Sequence, residues 1–208
     1  MTSLKATEIF LVRHGQTEWN KTGRFQGQSD VPLSEVGREQ AILAAKYFPA
    51  ERLDKVYASD LSRAADTGRA IADRLGAPIE LTKKLREMYF GQWEGLSYDE
   101  IVRGWPDAGP AFFDAPDTLI PPDGETFQMV QDRATPFLEE IVRVHTGESI
   151  AIVAHGAIIR TIVAYVLGMP MRYVWRTRQG NTGISRITYS EGVYTVDYLN
   201  RLAHLEQA

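Results

Sequence analysis

Two histidines, two arginines and a glutamate stand out as side chains that could carry out chemistry on a phosphate ester. His14 follows Arg13 and precedes a glycine, and His155 also precedes a glycine. An imidazole can attack phosphorus without first losing a proton from a hydroxyl group. The guanidinium groups of Arg13 and Arg63 can make paired, charge-assisted bonds to phosphate oxygens. Glu87 is the candidate for the acid that an alkoxide leaving group needs.

The elements that must position these residues are predicted to be buried strands. Continuous or short apolar runs predict strands at residues 8–12, 54–58, 78–81 and 149–154. Arg13 and His14 directly follow the first run and His155 follows the last, while Arg63 comes soon after the second. Ligand sites of open α/β sheets lie off the carboxyl ends of the strands. The sequence therefore predicts that two histidines and two arginines meet at one edge of a sheet.

Helical periodicity fills the segments between these strands. Helices are predicted at residues 34–48, 62–75, 124–145 and 156–167, and an antiparallel strand pair is predicted at 183–189 and 194–199. Ser34 and Ser62 are the expected N-caps of the first two helices, and Arg63 should add a positive helix end with free N–H groups. The alternation predicts an α/β fold, a three-layer α/β/α sandwich with a mostly parallel central sheet. We interpret residues 1–208 as one domain.

A proline-rich middle segment interrupts this regular order. Residues 91–123 contain five prolines among aromatic side chains, which predicts short helices and loops over the end of the sheet. We interpret this segment as a lid-like insertion.

Composition narrows the classes of partner. The net charge of −4 disfavours binding to nucleic acid or to a membrane surface, because both require a basic excess. No apolar run approaches the ~20 residues that a bilayer requires, and residues 1–8 lack the pattern of a signal peptide. The absence of cysteine excludes disulfides and predicts a cytoplasmic location.

The candidate motifs resemble a known family when they are taken together. The stretch Leu11-Val-Arg13-His14-Gly15-Gln-Thr17 is similar to the Arg-His-Gly signature of the histidine phosphatase superfamily, in the branch of phosphoglycerate mutases and related phosphatases. Further matches follow in family order, at Trp19-Asn20, Gln26-Gly27, Ser59 to Thr67, Glu87 and Val153-Ala-His155-Gly156. The resemblance spans residue 9 to about residue 160 and is looser from about residue 180 onward.

The resemblance implies a role for each matching residue. His14 would form a phosphohistidine, with Arg13, Arg63 and His155 binding the phosphoryl oxygens and Glu87 donating the proton. Asn20 and Gln26 would assist through their side-chain amides, and Gly27 and Gly156 would complete the substrate-binding residues. The family uses no metal, and we expect neither a metal nor a cofactor here; the four histidines, at positions 14, 145, 155 and 204, have no metal-site spacing.

Three functions remain open at this point. The resemblance favours a phosphatase that acts on small phosphorylated metabolites through a phosphohistidine. A cofactor-dependent phosphoglycerate mutase is the alternative, and an inactive phosphate-binding module is the third reading. Phe90-Gly-Gln-Trp93-Glu94-Gly and the short separation between Glu87 and His155 favour the phosphatase branch. The choice among phosphoglycerate, phosphoserine, α-ribazole phosphate and a broad set of monoesters stays open, as does a monomeric or homodimeric state.

Other polar residues have ordinary structural interpretations. Glu94 could be a second acid, but a solvated or ion-paired side chain is the preferred interpretation. His145 is expected to cap the end of a helix, where the helix dipole favours a cation. His204 is interpreted as structural, although a tail residue that covers the pocket stays open. Arg172, Arg176 and Arg178 are interpreted as a solvated charged face in preference to a substrate contact.

Overall fold

A computed structural model describes residues 6–207 of the chain, and a six-stranded sheet lies at its centre. The strands are β1 (Thr7–Arg13), β2 (Lys55–Ser59), β3 (Ile79–Thr82), β4 (Ser149–Ala154), β5 (Ile184–Ser190) and β6 (Val193–Arg201). The α-helices are α1 (Glu18–Lys21), α2 (Glu35–Lys46), α3 (Ser62–Leu75), α4 (Tyr98–Gly104), α5 (Ala108–Asp114), α6 (Phe127–Val144) and α7 (Gly156–Val166). Short 3-10 helices lie at Lys83–Leu85, Gly91–Trp93, Met171–Arg176 and Ala203–Gln207.

The strand order is β3-β2-β4-β1-β5-β6, and the first four strands are parallel. Strand β5 pairs antiparallel with both β1 and β6, so the chain closes the sheet with a hairpin. The expected mostly parallel sheet is confirmed. Because β1, β2 and β4 run in the same direction, their carboxyl ends meet at one edge.

Both faces of β1 are covered, which explains its continuous apolar sequence. Ile9 and Leu11 belong to the core that includes apolar side chains of α6 and α7. Phe10 and Val12 belong to a second core on the opposite face, formed with α2 and α3. A strand with two covered faces needs no polar positions. The predicted three-layer sandwich is therefore confirmed.

The start of α3 differs from the prediction. Leu61, not Ser62, is its N-cap and makes no side-chain cap hydrogen bond. The backbone N–H of Ser62 instead donates to Asp30 Oδ1, at 2.7 Å. The predicted serine cap is wrong, and the N–H of Ser62 is not free, because a loop distant in sequence occupies this helix end. In α2, by contrast, Ser34 Oγ accepts from the N–H of Gly37, as a serine N-cap should.

The proline-rich segment consists of short helices, as predicted. It contains the 3-10 helix Gly91–Trp93 together with α4 and α5. Side chains of Trp93, Ile101 and Phe112 join the core that covers the α6 and α7 face of the sheet. The interpretation of this segment as an insertion in a single domain stays a prediction.

Within the described residues, no helix combines the length and the apolar character needed to cross a bilayer.

Candidate active site

The carboxyl ends of the parallel strands bring the predicted residues together. Arg13, His14, Arg63 and Glu87 line one pocket of about 270 Å³. His155 is not one of the lining residues, but its ring centroid lies 5.1 Å from that of His14. The other residues that line the pocket are Asn20, Gly23, Arg24, Phe25, Gln26, Gly27, Phe90, Phe112, Phe113, Gly156, Ala157, Arg160 and Trp175.

The environment of His14 defines its tautomer. Its Nδ1 lies 2.7 Å from the carbonyl oxygen of Gly15, which can only accept, so Nδ1 carries the proton. Burial lowers the pKa of His14 well below its usual value, and the neighbouring charges of Arg63 and Arg13 lower it further. His14 is therefore neutral, and its Nε2 keeps an unshared electron pair that can attack phosphorus.

His155 is fully buried, and neither of its ring nitrogens has a hydrogen-bond partner among the described residues. Burial lowers its pKa well below the usual value, and the nearby charges of Arg63 and Arg13 lower it further. A buried polar atom without a partner is uncommon and calls for an explanation. A phosphoryl oxygen of a substrate would supply the missing partner.

Arg63 and Arg13 are held by main-chain carbonyl groups and not by carboxylates. Arg63 is fully buried, and its Nη1 and Nη2 donate to the carbonyls of Ser29 and Gly27 at 2.8 and 2.7 Å. Arg13 Nη1 donates to the carbonyl of Gln179 at 2.6 Å, and the Nε atoms of both arginines have no partner in the described structure. Burial lowers the pKa of Arg63 to about 10, which leaves it charged at neutral pH. Both positive charges are thus available to an anion.

Glu87 sits at the N-terminus of α7. Its Oε2 accepts from the N–H of Ala157 at 3.0 Å, and its Oε1 accepts from the N–H groups of Met88 at 2.8 Å and Ile158 at 3.2 Å. Gly156, at the first position of the helix, leaves space here: a Cβ at Gly156 would lie 3.8 Å from Glu87 Oε2 and 3.7 Å from Arg13 Nε. The helix end holds the candidate acid beside the candidate phosphate site.

The loop that contains Asn20, Gln26 and Gly27 forms another wall. Asn20 Oδ1 accepts from the backbone N–H of Thr17 at 3.1 Å, and Gln26 Oε1 accepts from Thr17 Oγ1 at 2.8 Å. Gly27 has a φ of +54°, and a Cβ there would collide with Glu94 at 1.8 Å. These contacts fix the loop, and the three residues line the pocket as predicted.

Glu94 is half-buried and hydrogen-bonded to a loop, whereas the sequence favoured a solvated or ion-paired side chain. Its carboxylate accepts from the backbone N–H groups of Gln28 and Ser29 at 2.7 and 2.9 Å and from Ser29 Oγ at 2.6 Å. It does not line the pocket. Glu94 instead stabilises the loop that contains Gln28 and Ser29, and carbonyl groups of the same loop accept hydrogen bonds from Arg63.

The remaining histidines and the arginine run lie outside the pocket. His145 is the C-cap of α6 at the opposite edge of the sheet, where its ring bonds to Tyr57 Oη and Glu148. His204 is buried and bonds through Nε2 to Thr182 Oγ1 at 2.9 Å. Side chains of Arg172, Arg176 and Arg178 are exposed, which agrees with a solvated face.

The segment 179–183 braces the candidate nucleophile, a role that sequence reasoning missed. The carbonyl of His14 accepts from Asn181 Nδ2 at 3.1 Å and from the N–H of Thr182 at 3.2 Å. Thr182 has a φ of +55°, a rare conformation for a β-branched residue, and its Oγ1 is held by His204. The turn at residues 179–183 is irregular and has no hydrophobic periodicity, so its contact with His14 could not be predicted from the sequence.

Arg160 is a second functional candidate that sequence reasoning missed. It lines the pocket together with Phe112, Phe113 and Trp175. A signal was present for Arg160, because it lies one helical turn after Gly156 and hence on the same face of α7. No comparable signal marks Trp175, which lies in a 3-10 helix.

Among the described residues, no group of three or more histidine, cysteine, aspartate or glutamate side chains is arranged to hold a metal ion.

The family model of the histidine phosphatase superfamily (branch 1) matches residues 9–202. A putative phosphoserine phosphatase 2 from Hydrogenobacter thermophilus is 33% identical over 199 residues, which cover 96% of this chain and 98% of that protein. A metal-independent phosphoserine phosphatase from Arabidopsis thaliana is 43% identical over 162 residues, which cover 76% of this chain and 68% of that protein.

Proteins with other names are similar as well. A probable phosphoglycerate mutase from Enterobacter sp. is 33% identical over 207 residues, with coverage of 96% of this chain and 95% of that protein. The solved structure of mycobacterial glucosyl-3-phosphoglycerate phosphatase with VO3 superposes with a TM-score of 0.86 at 30% identity, covering 93% of this chain and 98% of that one.

Proposed function

The chain belongs to branch 1 of the histidine phosphatase superfamily and is a phosphomonoesterase, and we propose that His14 is the nucleophile of its reaction. Arg13, Arg63 and His155 bind the phosphoryl oxygens, and Glu87 is the general acid. Asn20, Gln26, Gly27 and Gly156 shape the substrate site.

Two displacements at phosphorus complete the reaction. His14 Nε2 forms a bond to phosphorus while the P–O bond to the leaving group breaks, and Glu87 gives its proton to the departing oxygen. Water then attacks the phosphohistidine, Glu87 takes a proton from that water, and the P–N bond breaks to release phosphate. The guanidinium groups and His155 stabilise the charge that develops on the phosphoryl oxygens in both steps.

The state of His14 is the observation that carries this proposal. A ring with Nδ1 bound to the Gly15 carbonyl, and with a pKa well below the usual value, presents an unprotonated Nε2 at neutral pH. Such a ring is a nucleophile without the help of a separate base.

Hydrolysis is favoured over isomerisation by the chain between Glu87 and His155. Only 68 positions separate these residues, and a short insertion leaves little to enclose a phosphoenzyme. Water should therefore reach the phosphohistidine faster than a second substrate molecule. The mutase remains the second candidate, because relatives with that name are as similar to this chain as some of the phosphatases.

The test is a comparison of the wild type with His14→Ala in buffer that contains EDTA. We expect the wild type to release phosphate from p-nitrophenyl phosphate and 3-phosphoglycerate, and rapid quench with a labelled substrate to trap phosphate on His14. The variant should lose turnover; robust turnover in His14→Ala would reject the nucleophile. Interconversion of 2- and 3-phosphoglycerate that is much faster than phosphate release would favour the mutase.

The substrate class is small phosphorylated molecules. A cytoplasmic monomer or homodimer that binds neither nucleic acid nor membranes is our further proposal, supported by the lack of cysteine and by the net charge of −4.

A further inference from the structure

Arg160 lines the pocket, but the proposed reaction assigns no role to its side chain. Its Nε donates to the carbonyl of Thr177 at 3.1 Å, and its Nη1 donates to the carbonyl of Gly156 at 3.0 Å. The guanidinium carbon lies 4.8 Å from the centroid of the Trp175 ring, in a cation–π arrangement. These three contacts fix the plane of the guanidinium group, and its Nη2 donates to none of the described residues.

No carboxylate among the described residues lies within salt-bridge distance of Arg160, and the one carboxylate whose charge acts on its pKa is that of Glu87. Burial, together with the charge of Arg13, lowers its pKa to about 10, so it is still a cation at neutral pH. Arg24 lines the same pocket but has its partner already, because it bonds to Glu100 at 3.0 Å. An unpaired cation that is largely shielded from water is costly, and a ligand anion would remove that cost.

The position of Arg160 identifies the part of the substrate that it meets. A Cβ at Gly156 would lie 3.1 Å from Arg160 Nη1 and 3.8 Å from Glu87 Oε2. Arg160 is therefore next to the acid that protonates the departing oxygen. The phosphoryl group already has Arg13, Arg63 and His155, so the anion that pairs with Arg160 belongs to the leaving group.

We propose that Arg160 binds a carboxylate of the leaving group, so that the preferred substrates are phosphate monoesters of small hydroxy acids. This inference rests on the proposed phosphatase reaction. The free Nη2 group of Arg160 can donate a charge-assisted hydrogen bond to a carboxylate oxygen. The adjacent Trp175 does not compete as a donor, because its Nε1 donates to the carbonyl of Phe112 at 2.7 Å.

Matched substrate pairs test the inference. O-Phosphoserine differs from O-phosphoethanolamine by the carboxylate, and 3-phosphoglycerate differs from glycerol 3-phosphate in the same way. A site built for a polar group discriminates strongly against an analogue that lacks it. We expect the wild-type kcat/KM to favour the carboxylated member of at least one pair by about 100-fold or more.

Substitution of Arg160 should remove this preference. Arg160→Met should lower kcat/KM for the preferred carboxylated substrate by ~100-fold, while kcat/KM for the partner without a carboxylate changes by less than about fivefold. Arg176→Met is the matched control: this arginine is exposed, stacks on Tyr173 at 4.0 Å and lies outside the pocket. Its substrate preference should equal that of the wild type, and thermal unfolding should establish that both variants are folded.

Two results would overturn the inference. One is a wild type without preference for either carboxylated substrate, and the other is an equal loss on both members of a pair in Arg160→Met, which would assign Arg160 to the phosphoryl group or to the fold. Hydrolysis of p-nitrophenyl phosphate separates these failures from failure of the proposed function. If His14-dependent hydrolysis is present without a carboxylate preference, only the role of Arg160 is wrong.

Discussion

At the scale of single residues, burial decides which groups are ready to react. The rings of His14 and His155 stay neutral because they are buried beside the charged Arg63 and Arg13. The one remaining requirement is a proton for the departing oxygen. Glu87 is held by backbone N–H groups at the start of α7, within the same pocket.

The acid role of Glu87 predicts a dependence on the leaving group. General-acid catalysis typically contributes ~10²–10⁴-fold, and the benefit grows with the need of the leaving group for a proton. Glu87→Gln should therefore reduce kcat for an alkyl phosphate such as 3-phosphoglycerate by ~10²-fold or more, and reduce kcat for p-nitrophenyl phosphate much less. Steady-state kinetics on both substrates is the measurement. Equal losses would indicate that Glu87 binds phosphate or supports the fold.

The site residues that directly follow strands could be placed from sequence, and those in the irregular turn at residues 179–183 could not. The positions of Arg13, His14 and His155 at one edge of the sheet could be predicted, because the carboxyl end of a parallel strand has a known position in the sheet. Asn181 could not be predicted, since it reaches His14 from a turn 167 positions away. Glu94 was misjudged because its partners are backbone N–H groups of a loop, which leave no pattern in the sequence.

At the scale of elements, the loop after β1 depends on close contact with α2. A Cβ at Gly37 would lie 1.9 Å from the carbonyl oxygen of Gln16, and a Cβ at Gly15 would lie 2.4 Å from that of Gly37. These two glycines allow the backbone of the loop to lie directly against the first turn of the helix. The contact fixes the direction of the backbone at His14, where the chain leaves β1.

Alanine substitutions at two helical glycines should have opposite effects. Alanine is favoured over glycine within helices by up to ~1 kcal/mol. Gly104→Ala, at the end of α4 with open space around it, should be neutral or stabilising. Gly37→Ala should destabilise by ~1–3 kcal/mol, because the added methyl group displaces the loop. Urea unfolding measures both effects, and kcat/KM of Gly37→Ala should fall as well.

The opposite result at Gly37 is informative. Stability and kcat/KM equal to those of the wild type would show that the loop moves aside without cost, and the contact with α2 would then have no role in placing His14.

Elements with a regular period were predicted well, and irregular ones were not. Strand β4 was predicted with its observed bounds, and α7 within one residue, because their apolar patterns match buried strands and helices. The 3-10 helix Met171–Arg176 was not predicted. The N-cap of α3 was wrong because a tertiary contact from Asp30 replaced the local serine cap.

At the scale of the whole molecule, three buried histidines make stability depend on pH. Burial lowers the pKa of His14, His155 and His204 in the folded state. The unfolded chain, with histidine pKa values near ~6.5, then binds more protons than the folded chain as the pH falls. Their contribution to stability is thus complete above the unfolded pKa and is lost progressively below it.

The expected loss is on the order of 1 kcal/mol per histidine for each pH unit below ~6.5. Urea unfolding at pH 7.5, 6.5 and 5.5 should show a decrease in the free energy of unfolding that is smaller over the first step than over the second. In His204→Gln the decrease in the free energy of unfolding should be smaller than in the wild type, because one of the three histidines no longer contributes to it. A free energy of unfolding that is constant from pH 7.5 to 5.5 would show that these rings bind protons as readily in the folded protein as in the unfolded chain.

The central place of β1 in the sheet has a consequence for the order of folding. Both of its neighbours, β4 and β5, come late in the chain, and Ser149 pairs with Glu8 across 141 positions. During synthesis the apolar segment of β1 therefore has no partner strand until most of the chain has been made. Closing such long loops before any pairing is gained slows folding. Refolding should be slow, and the early chain should need protection from aggregation while β1 has no neighbours.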